Sequence, residues 1–154
     1  MVVRMDECWF CDDNRGSDTP PGGWLTTYGG WRAGHVPAGW GPDGTVVIES
    51  VEHRESLAAL DDETALAFSR ILGQVQDAVC AVTGSERAYL WATMDRHPHL
   101  HYWVVPWPAD AGSRGPRYLA EVLTFEANEP DAAAAAQVAE SLRAAMRGRS
   151  ERRS

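Results

Sequence analysis

The chain has 154 residues, 44% hydrophobic and 23% charged, which fits one domain able to bury a core without disulfide staples. A net charge of -8 argues against non-specific nucleic-acid binding, which depends on cationic side chains that neutralise phosphates. All 14 basic residues are Arg, so Schiff-base and P-loop lysine chemistry are excluded.

In chain order, the first feature is a Cys pair, Cys8-Trp9-Phe10-Cys11. With Cys80 it makes three cysteines, an odd count that does not read as a disulfide framework. The N-terminal stretch has no apolar core of a secretory signal. No run approaches the roughly 18 apolar residues of a membrane span, so a cytoplasmic location is expected. Residues 14–30 are rich in Gly and Pro and read as a loop with a short strand near Trp24–Tyr28. A second loop follows at Gly34–Gly44. Thr45–Ile48 is a run of strand formers, expected as a buried strand.

The clearest helix spans Asp62–Thr83. Asp61 or Asp62 caps it, Glu63 and Thr64 sit in the first turn, and Gly84 ends it. Leu66, Ile71, Val75, Val79 and Val82 recur near helical spacing and predict its buried face. Cys80 lies within it as a small core residue. Ala88–Thr93 and Leu100–Val105 read as a hairpin tightly joined at Asp95-Arg96 and ended by Pro106 and Pro108. Tyr118–Ala127 is open between helix and strand. Pro130-Asp131 introduces a second helix, Ala132–Met146, and residues 148–154 form an Arg-rich tail expected to be disordered. The order of elements predicts one α+β domain over residues 1–147, with a mainly antiparallel sheet of about five strands.

Three of the five histidines, His97, His99 and His101, alternate within five residues. On a strand these positions share one face, and Trp103 is next in the row. Neutral imidazole is a nucleophile towards phosphorus, and a second imidazole can protonate a leaving group. Such a row suits a phosphate-handling site, or one that divides its members between a metal and a reaction.

The sequence Pro98-His99-Leu100-His101-Tyr102-Trp103-Val104-Val105-Pro106 resembles the extended motif of the histidine-triad proteins, nucleotide hydrolases and transferases that are commonly dimeric. Cys8-Trp9-Phe10-Cys11 and Glu52-His53-Arg54-Glu55-Ser56-Leu57 resemble flanking segments of their zinc-containing members. Two registers fit. In the preferred one His99 is the first motif position, His101 is the nucleophile, and Trp103 stands where a third His or Gln is usual. In the other, His97, His99 and His101 are the three motif histidines and His99 is the nucleophile.

Carried over residue by residue, the resemblance implies a structural zinc held by Cys8, Cys11, His53 and His99, a Cys₂His₂ set. His35 is an alternative to His53 as ligand. The resemblance also implies a nucleotide or other small phosphorylated ligand, with His97, Trp103 and Arg96 as substrate-binding candidates, and a homodimer.

Three departures from the pattern bear on activity. Indole at Trp103 cannot act as an acid near neutral pH. The segment Thr93-Met94-Asp95-Arg96 lacks the Gly-rich phosphate loop, and the usual Asn before that loop is absent. Two functions therefore stand side by side. One is a hydrolase or nucleotidyltransferase that acts at an α-phosphate through a nucleotidyl-histidine. The other is a degenerate zinc-containing domain that binds a nucleotide or protein partner without turnover. A thiol oxidoreductase built on the Cys pair is disfavoured, because that pair does not open a helix after a strand.

Overall fold

The computed structural model describes residues 7–11, 15, 19–124 and 132–152. Two glycines start the sheet. Gly29 and Gly30 adopt φ of 54° and 83°, the left-handed pair that a tight hairpin needs. They join β1 (Thr26–Tyr28) to β2 (Trp31–His35), with Tyr28 opposite Trp31. A Cβ on Gly29 would lie 2.3 Å from the Ala67 side chain, so packing as well as φ requires glycine there. Three further strands follow: β3 (Val46–Ser50), β4 (Arg87–Trp91) and β5 (His101–Trp107). The sheet order is β1-β2-β3-β5-β4 and every pairing is antiparallel.

β3 and β5 each send alternate side chains to opposite faces. Val46, Ile48 and Val104 pack under α1 (Asp62–Thr83) and α3 (Ala132–Arg152). Trp103, Val105 and Trp107 face the other way and pack with α2 (Gly115–Val122). α1 and α3 thus cover one face of the sheet, while α2 covers only part of the other and leaves room there for a cavity.

Asp61 caps α1 by accepting from Thr64 N–H at 2.8 Å, and Gly84 closes it at φ 67°. Ile71, Val75 and Val79 are buried as their spacing predicts, and Val82 packs at the margin. Leu66 departs from that expectation and is 70% exposed, because α1 turns that position to solvent. Cys80 is only half-buried. Truncating Ile71 to Ala should cost about 2–5 kcal/mol. Leu66→Ala should stay within roughly 0.5 kcal/mol. Urea midpoints compare the two, and equal losses would contradict this burial pattern.

Other sequence expectations also shift. The run from Thr45 becomes a strand displaced to Val46–Ser50, and β2 arises where no strand was anticipated. Pro106 lies inside β5 instead of ending it. The β3 register stops at Val46↔Val104, so at Pro106 only β4 is paired and the missing N–H is tolerated. The β4–β5 connection is longer than a tight turn. Pro98 has no N–H to give a ladder, and His99 N–H closes a short turn onto His97 O at 2.8 Å. Leu100 N–H bonds Arg54 O at 2.6 Å and its carbonyl accepts from Ser50 N–H at 3.0 Å. Residues 97–100 are therefore fastened to the segment after β3, and the strand begins only at His101.

The ambiguous stretch after Tyr118 is helical to Val122, while its end at 125–127 lies outside the described residues. α3 runs to Arg152 where a disordered tail is expected from 148, and Arg149 pairs with Asp77 of α1. Arg143 of α3 reaches back across the fold. Its guanidinium donates to Gly22 O at 2.6 Å and to Trp24 O at 3.2 Å. No described helix is long and apolar enough to cross a membrane.

Candidate metal centre and adjoining cavity

Cys8 and Cys11 lie on a turn closed by Cys11 N–H to Cys8 O at 3.2 Å. His53 follows β3, and His99 sits in the bend before β5. The four ligand atoms lie within 4.8 Å of one another. Cys8 Sγ is 3.4 Å from His99 Nδ1, Cys11 Sγ is 3.7 Å from His53 Nδ1, and the two Nδ1 atoms are 3.4 Å apart. Tetrahedral zinc with ordinary Zn–S and Zn–N bonds separates its ligands by about 3.3–3.8 Å. The donor set therefore fits the ion, and four protein donors would close its coordination.

The outer hydrogen bonds suit the same geometry. His99 Nε2–H donates to Ser50 O at 2.8 Å, which leaves the Nδ1 lone pair directed at the sulfur. Burial pulls the His99 imidazole down to about 4, against the raising effect of the Ser50 carbonyl, and so keeps it neutral. His53 Nε2 faces the Glu55 carboxylate at 3.4 Å. His35 stands apart from the cluster.

Trp9 and Phe10 of the Cys8–Cys11 turn line a cavity of about 560 Å³. His97 and His101 line it, with Arg96 and Trp103. His99 does not, so the three motif histidines divide between two places and do not share one strand face. His101 Nδ1–H donates to His99 O at 2.6 Å, which leaves Nε2 as the bare nitrogen. Burial lowers the His101 and His97 imidazoles below their ordinary value.

Five of the seven tryptophans line the cavity: Trp9, Trp24, Trp40, Trp91 and Trp103. Trp9 stacks on Trp40 and Trp40 on Trp103, with centroids 5.7 and 6.3 Å apart. The charged groups in the wall are Arg15, Arg96, Glu49 and Asp95, whose formal charges cancel. Glu49 is 1% exposed and accepts from both Arg15 and Arg32. Burial raises its carboxyl while the two guanidiniums oppose that shift.

Sequence reasoning missed Phe10, the aromatic wall and this Arg–Glu–Arg cluster. A signal was present in Glu49, an acid next to a run of strand formers, where burial demands a cationic partner. The tryptophans are too dispersed along the chain to reveal a shared wall.

His35 also lines the cavity. Its Nδ1–H donates to Val36 O at 2.7 Å, and Nε2 accepts Gly44 N–H at 2.8 Å, so both nitrogens are committed in the neutral form. Burial lowers its pKa, opposed by the Val36 carbonyl and by Asp43. The unfolded chain, with an imidazole near 6.5, takes up this proton first as pH falls. The stabilisation is complete above that value and is lost as pH drops towards the folded pKa. The urea midpoint should fall less steeply from pH 7 to 5 in His35→Gln than in the parent. Equal slopes would count against this role.

No protein-family model and no curated protein matches the sequence. Solved structures do match. A zinc-bound histidine-triad family protein from Mycobacterium smegmatis superposes with a TM-score of 0.66 at 16% identity, covering 96% of this chain and 99% of that one. The fold is histidine-triad-like. A hypothetical histidine-triad nucleotide-binding protein from Sulfolobus tokodaii gives 0.60 at 12% identity, over 81% and 83% of the two chains. A uridylyltransferase gives 0.54 at 18% identity, over 81% of this chain and 41% of its own. In this histidine-triad-like domain the Cys₂His₂ cluster joins the N-terminal turn to the segment after β3 and the bend before β5, and the cavity opens beside it.

Proposed function

We propose that the protein is a histidine-triad-like phosphohydrolase or nucleotidyltransferase with a structural zinc, and that His101 is its nucleophile. The observation that carries this reading is the division of the histidines. His99 turns its Nδ1 to the two cysteines and His53, while His101 keeps a bare Nε2 beside a cavity that His97 also lines. This arrangement favours the register in which His99 is the first motif position. The nucleotide-binding and uridylyltransferase descriptions of two structural neighbours point to the same chemistry.

In the proposed reaction His101 Nε2 donates its lone pair to an α-phosphorus. A P–N bond forms as the bond to the leaving group breaks, and that group departs with the electron pair. His97 in its imidazolium form supplies the proton to that group. Water or another acceptor hydroxyl then attacks phosphorus and gives its proton back to His97, while the P–N electrons return to His101. Zinc with four protein ligands has no open position for substrate, so its contribution is to fix the chain. Arg96 offers a cationic contact to phosphate. The cancelled charges of the wall suit a ligand with one phosphoryl group and a large flat body over a long polyphosphate.

Incubation with labelled nucleoside phosphoramidates, nucleotide sugars and dinucleoside polyphosphates should give an acid-labile adduct that maps to His101. Neither adduct nor turnover with any of them would reject the enzyme. One observation favours the second reading, a ligand-binding domain without turnover. Trp103 occupies the third motif position and is 5% exposed in an aromatic cluster, and its indole cannot serve as an acid near neutral pH. Nucleotide binding with no adduct would decide for it.

A further inference from the structure

We propose that Phe10 is a positioning residue for His101, and that the buried cluster of Arg15, Glu49 and Arg32 holds Phe10 for this task. The inference rests on the reading of His101 as the reacting group, although the orientation it describes can be measured without turnover.

A single hydrogen bond from Nδ1 leaves an imidazole free to swing about that contact, and the terminal torsion of His is intrinsically broad. A flat neighbour is needed to restrict the ring. Phe10 supplies it. Its centroid is 4.3 Å from that of His101, with 27° between the planes. The same ring lies 5.2 Å from His99 at 25°, and meets His97 edge-on at 5.8 Å. One side chain therefore neighbours His97, His99 and His101 alike.

Phe10 is itself held from two directions. It lies between the two cysteines of the metal cluster, so occupancy of that cluster fixes its backbone. Its carbonyl also accepts from Arg15 Nη2 at 3.2 Å and from Arg32 Nη2 at 3.1 Å. Both guanidiniums are tied to Glu49 Oε1. Glu49 on β3 is the register partner of His101 on β5. The contacts form a closed circuit: strand pair, carboxylate, guanidiniums, Phe10 carbonyl, Phe10 ring, His101.

A buried cluster of three charges is weak evidence for stability, because an apolar replacement is often as good. Here it grips one carbonyl on the turn that carries the ring. That placement is what a positioning device needs and what a simple core does not.

Imidazole-selective NMR of the zinc-loaded protein tests the proposal. The parent should show one His101 tautomer, protonated at Nδ1, and cross-peaks between the Phe10 and His101 rings. Absence of those cross-peaks would overturn the proposal without any variant. Phe10→Leu keeps apolar bulk and removes the flat face. It should retain one zinc per chain while the His101 signals broaden or average, and Phe10→Tyr should restore them. Glu49→Gln should disturb His101 in the same direction with the ring still present.

If the adduct forms, its rate constant in Phe10→Leu should fall roughly 2- to 12-fold with KM little changed, the range expected for one aromatic contact. A folded Phe10→Leu protein with the parent's His101 spectrum would refute positioning. An ordered His101 in a protein that never forms an adduct would instead reject the enzymatic reading and leave this one standing.

Discussion

Chelating the metal from the protein is expected to lower its melting temperature by roughly 10 °C and to leave about one zinc per chain in the chelator. The size follows from linkage. At free zinc about 1,000-fold above the dissociation constant, binding to the native state alone adds about 4 kcal/mol. In a domain of this length each kcal/mol moves the midpoint by about 2–4 °C. The structural reason is that the cluster joins parts of the chain far apart in sequence. Cys8 and His99 are 91 residues apart, and Cys11 and His53 are 42 apart. Cys8→Ser and Cys11→Ser should each lose the metal and melt near the chelated protein. Elemental analysis with calorimetry checks both halves. A metal-free protein that melts with the untreated one would reject a structural ion.

Separating His99 from His101 by substitution should give two different phenotypes. His99→Ala is expected to release zinc and destabilise the fold, since it removes a ligand and leaves Ser50 O without its buried donor. His101→Ala should keep zinc at one per chain and abolish the labelled adduct altogether. In the other register, with His99 as nucleophile, His101→Ala would still form adduct. Metal content and adduct, measured on the same preparations, distinguish the two. His101 carries its own stability term through the stack on Phe10 and its 2.6 Å bond to His99 O, so a loss of about 1–2 kcal/mol accompanies the substitution.

The helix Asp62–Thr83 was legible because its signals are local: a capping Asp61, a stop at Gly84, and apolar residues at helical spacing between them. The Cys₂His₂ set was legible through resemblance, as each partner came with a recognisable neighbour in the sequence. The failures have a common cause in contacts that no local pattern encodes. β2 contains Arg32 and Gly34, poor strand signals, and forms because it lies between β1 and β3. Strict alternation of His97, His99 and His101 predicted one shared face. The bond from Leu100 N–H to Arg54 O and the turn at His97–His99 bend the chain before the strand begins. That bend is what sends His99 to the cysteines. Phe10 read as filler between two ligands, since its significance depends on Arg15, Arg32 and Glu49, which are brought together only by the fold.

Arg143 gives the chain an order of completion. Trp24 forms part of the cavity wall, yet its carbonyl and that of Gly22 are held by a guanidinium that lies 119 and 121 residues later. A polypeptide emerging from the ribosome at about 5–20 residues per second reaches Arg143 some 6–24 seconds after Trp24. Within that interval the sheet closes only after β5, which ends at Trp107, has been made, and the wall at Trp24 still lacks its anchor. The cavity wall at Trp24 is therefore completed only when α3 docks, after the strands and α1 that surround it have been made.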